Sequence, residues 1–190
     1  MNTQRPERVI LASASPQRKQ LLSMLGVEFE VQPTHVEELT EGDPAEVVLE
    51  NARRKAAAAA TDGALVIGCD TDVALDGRLL GKPGTEEEAA EYLTSLSGRQ
   101  HEVLSGLVIR GPATDEERSA LASSAVDFRA VPDAERARYV ASGEWRGRAG
   151  GYAIQGLGAT LVAAVEGDLS NVIGLPLSAL LELAPELIDG

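Results

Sequence analysis

A chain of 190 residues with 30 Asp and Glu against 17 Lys and Arg carries a formal net charge of −13. A field of that sign repels nucleic acid and anionic membranes, and it admits a polyanionic small molecule only where local Lys and Arg, with a metal ion, offset it. Hydrophobic residues make up 44% and aromatics only 3%, so Ala, Val, Leu and Ile must build the core, which favours helices packed on a sheet in one domain over residues 1–190.

Val9 to Ala12 reads as a short buried strand. Ser13-Ala14-Ser15-Pro16 then turns into a helix, with Ser15 as N-cap, Pro16 at the first helical position, Leu21, Leu22 and Leu25 as the apolar face and Gly26 as the end. Val27 to Val31 is a second strand. Asp43 caps the next helix, Glu46 is placed to close a capping box, and the helix runs through Ala56 to Ala60 to stop near Gly63. Leu65 to Cys69 is a continuous apolar run that predicts a central strand covered on both faces. Thr85 and Glu88 form a second capping box for a helix reaching Ser97, with Gly98 beyond. Val103 to Ile109 is a strand, Gly111 to Ser123 a polar connection, Ala125 to Val131 an alternating strand, and Asp133 to Ser142 a helix. Thr160 to Val165 is a strand, and Pro176 opens the last helix. The alternation of strands and helices predicts the α/β class.

Four segments bear on chemistry. The helix start at Ser13 to Arg18 offers unpaired backbone N–H groups, two hydroxyls and a guanidinium, which suits phosphate; a plain capped helix explains the same residues. Lys55 shares its helical face with Val48, Ala52 and Ala59, so it either snorkels outward or points inward to an anion. Asp70, expected at the carboxyl end of the central strand, stands where open α/β sheets bind ligands, and carboxylates there suit Mg²⁺, Mn²⁺ or the activation of water; Asp72 reads as a turn residue. Lys82 sits among turn residues in Gly81-Lys82-Pro83-Gly84, a loop that an ordinary surface turn also explains.

Cys69 is the only cysteine, so an intramolecular disulfide is excluded, and His35 and His101 stand too far apart for a Cys/His zinc pattern. There is no Gly-x-x-x-x-Gly-Lys-Ser/Thr loop and no Gly-x-Ser-x-Gly elbow. The absence of an apolar signal core and of a membrane-length run makes a reducing cytoplasm the expected location.

Taken together, Leu11 to Pro16, Glu37-Glu38, Lys55-Ala56, Ile67 to Thr71, Leu80 to Pro83, Leu96 to Arg99 with His101, Ala149 to Gly156 and Asn171 to Leu177 occur in an order that resembles Maf (septum formation inhibitor) proteins over nearly the whole chain. The resemblance implies an elongated mixed α/β sheet flanked by helices, related to inosine triphosphate pyrophosphatases, with two lobes around a cleft. It implies a divalent-metal-dependent nucleoside triphosphate pyrophosphatase, with a homodimer as the expected assembly. On this resemblance Ser13, Ser15, Arg18, Lys55 and Lys82 are the substrate contacts. Glu38 and Asp70 are the acidic pair around Mg²⁺ or Mn²⁺, with Asp70 the proton acceptor. Thr71 and Gln155 match members that favour dTTP and UTP. Gln17 departs from them, since those members carry Arg there and members acting on 7-methyl-GTP carry Trp. A non-catalytic nucleotide-binding regulator of cell division, or a hydrolase of nucleotide sugars or dinucleotides, would use the same cleft.

Overall fold

Three consecutive buried apolar residues, Val9–Leu11, form strand β1 in the computed structural model, which describes residues 6–60, 63–111 and 116–188. The chain then leaves the sheet and enters helix α1, Pro16–Ser23, where the Ser15 hydroxyl accepts from the Arg18 N–H as the N-cap. The strand expected over Val27 to Val31 shortens to β2, Glu30–Val31: Val27 is drawn into the core and Phe29 packs against it, so only two residues remain to pair with β1. Helix α2, Pro44–Ala58, starts at the Asp43 cap, whose carboxylate accepts from the N–H groups of Ala45 and Glu46.

Strand β3, Leu65–Leu75, corrects the sequence reading. The apolar run stops at Cys69, but the strand does not, so Asp70 lies in mid-strand and not at its carboxyl end. A strand tolerates polar residues where its two faces meet a charged helix and a cleft in place of packed core. Strand β4, Arg78–Leu79, folds back on its end, and helix α3, Glu86–Leu96, begins at Thr85. The Glu88 carboxylate closes the turn on the N–H of Gly84, one residue earlier than a capping box requires. Strand β5, Gln100–Arg110, outruns its expected bounds. Strand β6, Glu117–Phe128, takes in Glu117 to Ser123, expected as connection, but stops three residues short of the expected end at Val131. Paired residue for residue with β5, those polar side chains form an exposed face, an alternation that a polar-run reading misses; residues 112–115 of that connection lie outside the described residues. Helix α4, Asp133–Ser142, is followed by 3-10 turns over Ala149–Gly151 and Gly156–Leu161. Strand β7 is Val162–Glu166, followed by helices α5, Leu169–Ile173, and α6, Leu177–Leu183, and a final 3-10 turn over Pro185–Leu187. The five-residue α5 was not legible in the sequence.

The seven strands form one open mixed sheet in the order β2-β1-β3-β5-β6-β7, with β4 on the far end of β3. Side chains alternate across it. One face of β3 and β5 presents Val66, Ala74, Leu104 and Val108 to α2. The contact is tight, because a Cβ at Gly106 would lie 2.2 Å from the Val48 carbonyl oxygen and one at Gly68 2.4 Å from that of Ala52. The other face carries two separate cores. Leu65, Ile67, Leu107 and Ile109 pack under α1 and α6 at one end, and Val73, Leu75, Val103 and Val126 under α3 and α4 at the other. Between the two lobes, Thr71 and Ser105 face each other across β3 and β5.

Candidate active site

The sheet has a gap beside the middle of β3. Strand β1 accompanies it only as far as Ile67, and β4 joins only at Ala74. A cleft of about 900 Å³ opens there, and its lining includes Ser13, Ser15, Gln17, Arg18, Glu38, Lys55, Thr71, Lys82 and Gln155. Because β3 presents an edge at this point, one cavity reaches groups on both faces of the sheet.

On the α2 side, Lys55 points inward. Its Nζ donates to Asp70 Oδ1 at 2.5 Å and pairs with Glu38 Oε1 at 2.8 Å, although the residue is only 7% exposed. Asn51, one helical turn earlier, donates to Asp70 Oδ2 at 3.1 Å and to the Leu39 carbonyl, and its own Oδ1 accepts from the Leu39 N–H. Asn51 therefore holds the catalytic-candidate carboxylate and the loop bearing Glu38 to the same helix. It was missed in the sequence. Its position four residues before Lys55 on one helical face was the available signal. Burying a lysine is costly unless it is paired and hydrogen-bonded, and the two carboxylates meet that need.

On the opposite face, Arg18 is spread over neutral acceptors. Its Nε donates to the Gly174 carbonyl at 2.8 Å, Nη1 to Ser13 Oγ and Nη2 to Thr71 Oγ1, both at 3.2 Å. Thr71 also bonds Ser105 Oγ at 2.7 Å and Gly174 O at 3.2 Å, so it braces Arg18. Ser13 Oγ accepts from the Ser15 N–H, and the Ser15 hydroxyl donates to Gln17 Oε1. Cys69, fully buried with its thiol pushed up by desolvation, is structural.

Lys82 is exposed in its loop, which two anchors fix. The Gly81 N–H donates to Asp72 Oδ1 at 3.0 Å, and the Gly81 carbonyl accepts from the Gly150 N–H at 2.8 Å. Asp72 is thus a brace on the Lys82 loop. Burial pushes its carboxyl up to about 6, against the pull of the Val73 N–H and with the help of the Asp70 charge. Gly150 has φ of 66°, and a Cβ there would meet Val73 at 2.8 Å, so a side chain would part the loop from β3. Beyond it, Tyr152 lines the cleft and shares a 2.8 Å hydrogen bond with His101 Nε2. Burial lowers the His101 ring to about 4, so it is a neutral buttress in an aromatic cluster with Phe128. His35 is exposed. Glu144, also lining the cleft, accepts from the N–H groups of Leu157 and Gly158 and fixes the turn after Gln155. Arg148, which the sequence reading passed over, lines the same cleft.

No described helix is long and apolar enough to cross a membrane. Residues 8–187 match the family model described as Maf-like protein. A protein of Anaeromyxobacter sp. named dTTP/UTP pyrophosphatase is 47% identical over 93% of this chain and 87% of its own length. One of the same name from Deinococcus radiodurans is 46% identical over 93% of this chain and 91% of its own. Another, from Syntrophus aciditrophicus, is 43% identical over 95% and 90%. With the family model matched over nearly the whole chain and these relatives 43% to 47% identical, the chain belongs to the Maf family.

Proposed function

We propose that this protein hydrolyses nucleoside triphosphates between the α and β phosphates, releasing a monophosphate and pyrophosphate, with dTTP and UTP preferred. The observation that carries the reading is the buried Lys55–Asp70–Glu38 cluster opening on the same cleft as Arg18. A carboxylate held at one oxygen by an ammonium and at the other by Asn51 still has lone pairs to spare on both, and it is fixed in orientation before substrate arrives. In this scheme Asp70 orients a water and takes its proton while the oxygen attacks the α phosphorus in line. The bond to the bridging oxygen breaks, and pyrophosphate leaves. Arg18, presented by the α1 start with Ser13 and Ser15, and Lys82, on its anchored loop, hold the phosphates.

Glu38 and Asp70 place two carboxylate oxygens within 2.8 Å of one point, now the Lys55 ammonium. Among the described residues no group of three acidic, His or Cys side chains stands ready to hold a metal by itself. Two carboxylates with phosphate oxygens and water completing the shell suit Mg²⁺ or Mn²⁺ better than an ion caged by protein alone. When bound, such an ion polarises phosphoryl oxygens and offsets their charge.

Gln155, exposed at the cleft rim, offers an amide that both donates and accepts, matching the two carbonyls and one N–H of a uracil or thymine edge. Thr71 matches the relatives that favour those bases, and Gln17, bonded to the Ser15 hydroxyl, brings a neutral amide to the same cleft. Incubation with a nucleotide panel and Mg²⁺ or Mn²⁺, with the products identified, tests the reading. Monophosphate and intact pyrophosphate are expected. Diphosphate with orthophosphate would mean attack at the γ phosphorus and would overturn it.

A further inference from the structure

The cations of the cleft are not equivalent. Lys55 is neutralised by two carboxylates, and Arg146 is paired with Glu86 at 3.2 Å and lies over the Trp145 ring. Arg148 differs from both: among the described residues its side chain has no ion pair, and its Nε is buried with no hydrogen-bond partner. The backbone around it is fixed, since its N–H donates to the Trp145 carbonyl at 3.0 Å and its carbonyl accepts from Gly151 at 3.1 Å. Two residues on, Gly150 is bonded to Gly81, which adjoins Lys82. Two cations on loops bonded to each other, neither in an ion pair among the described residues, therefore line the same cleft as the Ser13–Arg18 turn.

Resting on the pyrophosphatase reading above, we infer that Arg148 binds the β and γ phosphates and, with Lys82, forms a subsite for the pyrophosphate leaving group. A planar guanidinium with unmatched donors fits a polyphosphate through paired hydrogen bonds, which the ammonium of Lys82 does not offer. A carboxylate-free arginine costs little to commit to a ligand, because no existing ion pair has to break. The subsite distinguishes triphosphates from shorter nucleotides by grip on the distal phosphates, whereas Gln155 and Gln17 act on the base.

Calorimetric titration of inorganic pyrophosphate, and separately of UMP, into the wild type, Arg148→Gln and Arg148→Lys in Mg²⁺ buffer tests this without turnover. Arg148→Gln should weaken pyrophosphate binding ~10- to 100-fold, the range for losing hydrogen bonds to a charged group. Arg148→Lys should recover part of it, and UMP affinity should hold within about 2-fold in both. Unchanged pyrophosphate binding in Arg148→Gln, or an equal loss for UMP, would overturn the assignment. The nucleotide-panel assay judges the pyrophosphatase reading separately: wild-type protein that fails to release pyrophosphate sinks that reading, while these titrations still report on the anion subsite.

Discussion

The ammonium of Lys55 lies 2.5 Å from Oδ1 of Asp70, with the two side chains 8% and 10% exposed. Removing one member of such a pair leaves the other charge buried. Lys55→Met should cost about 3–5 kcal/mol of stability, the range for breaking buried pairs. Asp70→Asn should cost less, about 1–3 kcal/mol, because Glu38 still faces Lys55. That variant should fold yet lose turnover about 10²- to 10⁴-fold. Urea unfolding of both variants and of the double variant measures the coupling. Strictly additive losses would show that the two groups act independently.

Turnover should stop in EDTA and return with added Mg²⁺ or Mn²⁺. Glu38→Gln should raise the metal concentration needed for half-maximal rate, since only one carboxylate would remain for the ion. A metal requirement unchanged by Glu38→Gln removes that residue from the ion's shell.

Acid affects two buried groups in opposite directions. His101, lowered to about 4 from 6.5, takes a proton in the unfolded chain before the folded one. Its contribution to stability is present above about pH 6.5 and drains away as the pH falls toward 4. Asp72, raised to about 6 from 3.8, takes its proton in the folded chain first, so stability is gained as the pH falls below 6. The wild type should therefore be nearly flat between these limits. Between pH 7 and pH 5, Asp72→Asn should lose about 1–2 kcal/mol relative to wild type and His101→Gln should gain a similar amount. Thermal melts across that range decide it, and parallel profiles for all three proteins would refute the assignment.

Gly106→Ala places a Cβ 2.2 Å from the Val48 carbonyl, so α2 must move. A loss of about 1–3 kcal/mol is expected, together with a fall in kcat, because α2 carries Asn51 and Lys55 to Asp70. Gly77→Ala, in a turn with φ of 74° and open space around it, should cost stability with kcat unchanged. Equal kcat in the two variants would disconnect helix position from catalysis.

The ranking of kcat/KM should place dTTP and UTP above CTP, GTP and 7-methyl-GTP, and Gln155→Glu should reorder it by replacing the amide donor with an acceptor. A Gln155→Glu enzyme with the original ranking would show that another group reads the base.

Ser15 and Pro16 announced α1 because caps are local, and Lys55 stood out because a cation on an apolar helical stripe is rare. The apolar run at Leu65 identified β3 but not its length, since what sustains the strand from Asp70 to Ala74 is pairing with β5, roughly thirty residues away in sequence. Glu117 to Ser123 read as connection because its polar side chains stand on the exposed face of a strand held by β5. Asp72 was taken for a turn residue, whereas its work of bracing Gly81 depends on a contact nine residues distant. Arg148 carried no local signal beyond a basic residue among glycines, and its lack of an acidic partner is a property of the folded wall alone.

Strands β3 and β5 pass without interruption from one core to the other, and α2 lies against both. Two lobes joined in this way cannot swing apart as jaws on a flexible strap; prying them open would mean twisting a hydrogen-bonded sheet. Nucleotide entry and product exit then fall to the rim segments, the Ser13–Arg18 turn and residues 143–156. An exposed side chain there, such as Gln155, can shift without breaking the hydrogen bonds that fix the loop backbone. Asp70 rides on a strand paired to β5 and packed against α2, so the acid stays in place while the entrance does the moving.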